Sequence, residues 1–310
     1  MSYKNSVKLL ISNFKLVWKQ LLYMLSVVVV LFLLGYASSI PMINLLKENG
    51  VFKEFSNIFQ TIYTAPKDVV NAMSLAFENL SSTITNNFGD VWFSFFSSVI
   101  IVGAGFQFLK HISFYNLSSL MYMQMSSFVE IGYTRNMIST FRQSIRYALA
   151  KLVYQIPFIL IKALIFFLYF HVVSTPLGIL IGLFIVILLL IVLNSVEISL
   201  FSGMAPQMLK NEGNISAFKA FFTSNKLIMK NFARVFSNAI IVTLTLIVLN
   251  MFLGIFTIGV ALLITLPAST LFKAIFGLTT HFGVNGERYY LSSTVITTPV
   301  TEENETIKKL

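Results

Sequence analysis

Residues 163 to 196 read ALIFFLYFHVVSTPLGILIGLFIVILLLIVLNSV, a run without a single Asp, Glu, Lys or Arg. As one helix these 34 residues would be roughly 51 Å long at about 1.5 Å per residue. A bilayer's hydrocarbon core is about 30 Å thick, so one crossing cannot use them. Ser174, Thr175, Pro176 and Gly178 supply a break in the middle: proline ends a helix and small polar residues favour reversal. The stretch therefore reads as a hairpin of two spans. The first starts near Lys151 and carries Lys162 inside it. The second runs from about Leu177 to Leu200.

The same length argument works outward. Val235 to Phe272 is uncharged for 38 residues, with Gly254 and Gly259 bracketing a turn, which predicts spans at about 235–252 and 259–282. Gln20 to Leu46 gives one more span, ending near Pro41, and Val91 to Leu109 another between Asp90 and Lys110. The count is six. Composition agrees: 56% of the 310 residues are hydrophobic, 11% are charged and the mean hydropathy is +0.80. Soluble domains average about 25% charged residues. With no cysteine present, disulfides, thiolate metal sites and cysteine nucleophiles are excluded.

The net charge of +10 reads as topology, because the basic residues flank apolar runs; no nucleic-acid partner is expected. Four lysines and no acid precede the first span. Residues 44–90 carry three lysines and five acids. Lys110, Arg135, Arg142, Arg146 and Lys151 face Glu130 alone, and Lys210, Lys219, Lys226, Lys230 and Arg234 face Glu212 alone. The remaining two connections are uncharged. Basic residues thus occupy every second connection, as the positive-inside rule requires of a six-span chain with both termini in the cytoplasm.

Three of the basic segments share a spacing. Lys8, Lys15 and Lys19, then Arg135, Arg142 and Arg146, then Lys219, Lys226 and Lys230 lie at offsets of 7 and 11. On a helix those offsets fall within about 20° either side of the first residue. Apolar residues lie across from each trio, among them Phe14 and Trp18, Ile138 and Phe141, and Phe222 and Met229. Each segment is expected to be an amphipathic helix on the inner leaflet, in contact with anionic lipid. The fold expected is all-α: three membrane hairpins, each preceded by a cytoplasmic amphipathic helix, in one polytopic domain over 1–290. Its pseudo-repeats cover about 5–110, 132–200 and 215–285. Residues 44–90 are expected outside the cell as two short helices separated by Pro66, and 291–310 as a disordered cytoplasmic tail.

Signatures of catalysis are scarce. His111, His171 and His281 are not at metal-ligand spacing, no Gly-rich loop fits a phosphate cradle, and no cofactor or catalytic residue is predicted. The ionisable residues inside spans stand out, because a charge at the helix centre costs about 2.5–3.5 kcal/mol. Lys162, Glu197 and Lys273 form a candidate intramembrane polar cluster. They either line a solute or proton path or pair while the lysines snorkel to the inner interface.

Ile215-Ser216-Ala217-Phe218-Lys219-Ala220-Phe221, the basic helix to Lys230, and the hairpin ending in Leu266-Pro267-Ala268 resemble uncharacterised prokaryotic six-helix membrane proteins. That group is related to the membrane domain attached to some glycerophosphodiester phosphodiesterases. The resemblance covers the last half of the chain and implies architecture only, since no hydrolase domain accompanies it. The function expected is a non-catalytic, multi-pass accessory or lipid-associated scaffold of the cell membrane, with anionic lipids and an unidentified protein as partners. The alternative is a permease for a small anionic solute.

Overall fold

The computed structural model describes residues 2–172, 176–291 and 294–296. Six of its helices are long and apolar enough to cross a membrane, within Lys15–Glu48, Phe88–Ser127, Phe141–Tyr169, Ile181–Lys210, Phe232–Phe256 and Leu262–Asn285. The chain divides into two compact units, Leu25–Gln107 on one hand and Met1–Met24 with Phe108–Leu310 on the other.

The smaller unit contains the later part of α2 (Lys15–Glu48), α3 (Val51–Thr64), α4 (Val69–Asn86) and the start of α5 (Phe88–Ser127). Helix α2 continues through Pro41 instead of ending there. Pro66 separates α3 from α4, as expected, and opens a single 3₁₀ turn between them; Phe55 meets Phe77 edge to face across the two helices. Small residues bring α2 and α5 together. A Cβ on Gly35 would stand 2.6 Å from Val102, and one on Gly105 2.8 Å from Leu31. The hydroxyls of Ser38 and Ser39 each lie 2.9 Å from that of Ser98. Small residues let the two backbones approach closely, and the serine hydroxyls bridge them by hydrogen bonds.

The larger unit is built around α12 (Leu262–Asn285), whose residues from Pro267 to Phe282 are buried except for Lys273. The other helices there are α1 (Ser2–Ser12), α6 (Tyr133–Ser139), α7 (Phe141–Val172), α8 (Pro176–Phe201), α9 (Met204–Lys210), α10 (Ala217–Lys230) and α11 (Phe232–Phe256). Pro176 opens α8, where its missing N–H is no loss. Helix α1 packs on α12, with Leu9 in the same apolar cluster as Ile275 and Leu278. The Tyr3 hydroxyl of α1 bonds Thr245 at 3.0 Å, and that of Ser6 bonds Thr279 at 2.8 Å.

The structure differs from the sequence reading in three further places. First, helix α5 does not end at Leu109: it runs 40 residues to Ser127, and its last part, including Tyr115, Asn116, Ser119, Met121 and Met125, is buried in protein. Second, the helices that precede the spans are joined to them by short breaks at Asn13–Phe14, Thr140 and Asn231. The first two trios of basic residues therefore straddle a break, and only Lys219, Lys226 and Lys230 share one helix, α10. Asn13 Nδ2 donates to the Leu9 carbonyl at 3.0 Å, and Thr140 Oγ1 to that of Asn136 at 2.8 Å. Such side-chain competition for backbone groups is how short polar residues interrupt a helix. Third, the chain end is not wholly without structure: Tyr289–Leu291 pairs antiparallel with Thr294–Ile296, and the rest of the expected tail lies outside the described residues.

Candidate functional site

Glu197 on α8 is the centre of a polar chain inside the larger unit. Lys162 Nζ, on α7, donates to Glu197 Oε2 at 2.7 Å. Gln155 Nε2, two turns earlier on α7, donates to the other oxygen, Oε1, at 2.6 Å. The Gln155 amide oxygen lies 2.7 Å from His111 Nε2, on α5; since the amide nitrogen is already turned to Glu197, the histidine is the donor. Both carboxylate oxygens are thus engaged, and four residues on three helices form one line. Their placement is helical arithmetic: Lys151, Gln155 and Lys162 lie at offsets of 4 and 11, within about 40° on α7.

Lys151 sits beside this line and is almost fully buried. Its Nζ donates to the Tyr147 hydroxyl at 3.1 Å. It also stands 4.2 Å above the centroid of Phe114, with Tyr147 and Phe201 at 5.4 and 5.6 Å. Ring faces attract an ammonium when water is excluded. Lys110, next to His111 on α5, and Lys273 on α12 come within electrostatic range of each other and of Glu197. Neither has a side-chain hydrogen bond or ion pair among the described residues.

The structure therefore brings Lys162 and Glu197 into contact and places Lys273 within range of both. Sequence reasoning missed Lys110, His111, Lys151 and Gln155. In the sequence Lys110 and Lys151 read as span ends, although the shared face of Lys151, Gln155 and Lys162 was available as a signal. Of the other histidines, His281 is buried and within 3.2 Å of Asn285, and the His171 side chain lies outside the described residues. Among the described residues no group of three His, Asp or Glu is placed to hold a metal ion.

The second candidate feature is the basic surface. All nine residues, Lys8, Lys15, Lys19, Arg135, Arg142, Arg146, Lys219, Lys226 and Lys230, are exposed. Each trio has exposed apolar neighbours: Ile11, Phe14 and Trp18; Ile138 and Phe141; Phe218, Phe222 and Met229. On α10 three faces separate cleanly. Ala217, Ala220, Ser224 and Ile228 are buried against the unit, while Phe218, Phe222 and Met229 cluster within about 40° of arc and the three lysines within another 40°. Lys15 carries an exposed ion pair with Glu130 at 3.1 Å. No protein-family model, no curated protein and no solved structure matches the chain.

Proposed function

We propose that the chain is a non-catalytic, multi-pass protein of the cell membrane, with both termini in the cytoplasm, that acts as a lipid-associated accessory or scaffold protein on the inner leaflet. The observation that carries this reading is α10. It packs one face on the protein and leaves an apolar stripe beside a basic stripe, Phe218, Phe222 and Met229 next to Lys219, Lys226 and Lys230. An interfacial helix has this division, with rings in the acyl boundary and ammonium groups among the headgroups. The charge alternation between connections supports that orientation.

The recurring break supports a triplicated unit of short helix, break and span. Asn13, Thr140 and Asn231 stand directly before Phe14, Phe141 and Phe232, five residues after Lys8, Arg135 and Lys226. In that register the third unit is displaced by two helical turns from the one the basic spacing alone suggests. The resemblance to the six-helix prokaryotic group adds support to this architecture and brings no activity.

The test replaces Lys219, Lys226 and Lys230 together by Gln and measures which lipids co-purify with the full chain in mild detergent. Each lysine near an anionic surface contributes about 1 kcal/mol. Three would give wild type an anionic-lipid preference larger by up to about a hundredfold. Equal lipid profiles for variant and wild type would rule out α10 as the lipid-gathering element. A second reading, a permease for a small anionic solute, is favoured by the intramembrane lysines around Glu197. Unchanged anion fluxes in proteoliposomes of Lys162→Met would count against it.

A further inference from the structure

We propose that Lys110, Lys151, Lys162 and Lys273, gathered from α5, α7 and α12 around Glu197, form a binding site for a phosphate-type oxyanion. The site is separate from the α10 surface and does not depend on its role.

Charge is out of balance here. Four lysines meet one carboxylate, and that carboxylate is engaged on both oxygens, by Lys162 at 2.7 Å and Gln155 at 2.6 Å. Glu197 cannot turn to another cation without breaking one of those bonds. Lys151 has rings and a phenol around it but no carboxylate in contact. Lys110 and Lys273 have no side-chain partner at all among the described residues, and both are only partly exposed. Lys273 is the one residue between Pro267 and Phe282 of α12 that is not fully buried.

Clustered ammonium groups away from bulk water repel one another strongly, because the local dielectric is low. A counter-anion relieves that repulsion for three cations at once, which a lysine-by-lysine pairing cannot. Lysine binds phosphate as a compact point charge with three rotatable donors. Three such groups from different helices can meet the oxygens of one phosphate from different sides. Glu197 neutralises Lys162, which leaves Lys110, Lys151 and Lys273 as the formal surplus the anion would meet. The phosphate can come from a lipid headgroup or from a soluble phosphate.

The experiment uses the full chain in neutral detergent and follows thermal unfolding by the fluorescence of Trp18 and Trp92. Inorganic phosphate, phosphatidylglycerol and phosphatidylcholine are titrated separately, with chloride at matched ionic strength as the control. The expected result is a saturable rise in melting temperature with phosphate, with phosphatidylglycerol, or with both, and none with chloride or phosphatidylcholine. A response to phosphate identifies a soluble ligand, and one to phosphatidylglycerol alone identifies a headgroup. Lys110→Gln and Lys273→Gln each raise the half-saturating concentration about tenfold. The pair Lys110→Arg with Lys273→Arg, which keeps the charge, retains saturable binding. The triple Gln variant of α10 also retains it, which separates this site from the surface helix. A response that survives the loss of both Lys110 and Lys273 overturns the proposal. So does a wild-type protein that responds to neither anion, whether or not any variant folds.

Discussion

Gly277 allows a sharp test of how the larger unit is packed. It lies in the buried middle of α12, and a Cβ built on it would stand 2.7 Å from the carbonyl oxygen of Ser202. Ordinary contact begins near 3.4 Å, so one backbone would have to yield by about 0.7 Å. Both sides of the contact are backbone, so no side chain can swing away. Overpacking of this kind costs about 1–3 kcal/mol, against about 1 kcal/mol gained by replacing glycine with alanine inside a helix. Gly277→Ala is therefore expected to destabilise by up to about 2 kcal/mol. At about 2–4 °C per kcal/mol for a larger domain, the melting temperature falls by up to about 8 °C. Gly103→Ala in α5 is the control, since a Cβ there meets nothing within 4 Å. Only the propensity gain acts, and the expected change is a rise of up to about 4 °C. Thermal unfolding in detergent, read by Trp fluorescence, compares the two. Equal shifts, or a gain at Gly277, would refute the packing of α12 against the turn after α8.

Further outcomes follow from the polar contacts. Glu197→Gln leaves Lys162 without its charge partner, and breaking a buried pair costs about 3–5 kcal/mol. With the two side chains 17% and 28% exposed, a loss of about 2–3 kcal/mol is expected, measured as a lower melting temperature. The exchange Lys162→Glu with Glu197→Lys is expected to recover part of that loss; no recovery would mean that the contact contributes nothing. Gln20→Leu strands the hydroxyls of Ser113 and Tyr133, both of which donate to the Gln20 amide oxygen in the interior. Burial pushes the Tyr133 phenol up, so it remains a neutral donor across ordinary pH. The expected destabilisation is about 1–3 kcal/mol per stranded group, and an unchanged melting curve would show the bonds to be of no consequence.

The six long apolar helices were legible because length and charge decide them: a 34-residue uncharged run is too long for one crossing and must break. The buried half of α5 was not legible. Residues 110–127 read KHISFYNLSSLMYMQMSS, and hydropathy sees too many polar groups for lipid. Those groups are buried against protein, where Asn136 Nδ2 reaches Asn116 Oδ1 at 2.6 Å and Ser119 reaches Asn136 at 3.2 Å. Hydrogen-bonded polar side chains can be buried at little cost, but a linear sequence does not reveal their partners. The breaks at Asn13 and Thr140 were missed for a related reason: a regular spacing of charges looks the same whether one helix or two carries it. Of the candidate site, the cost of a lone charge in lipid pointed to Lys162, Glu197 and Lys273 as a group, but did not select which lysine meets Glu197. Gln155 and His111 are uncharged and gave no such signal.

An inner-leaflet role requires that the face carrying α10 and its lysines be the cytoplasmic one. Because the chain has no cysteine, single substitutions report position without a background. Ser81→Cys in α4 and Thr223→Cys in α10 both place the thiol at an exposed residue. In intact cells, a membrane-impermeant maleimide is expected to label Ser81→Cys at once and Thr223→Cys only after the membrane is permeabilised. Labelling of Thr223→Cys in intact cells, with Ser81→Cys protected, would invert the topology and remove the basis for an inner-leaflet role.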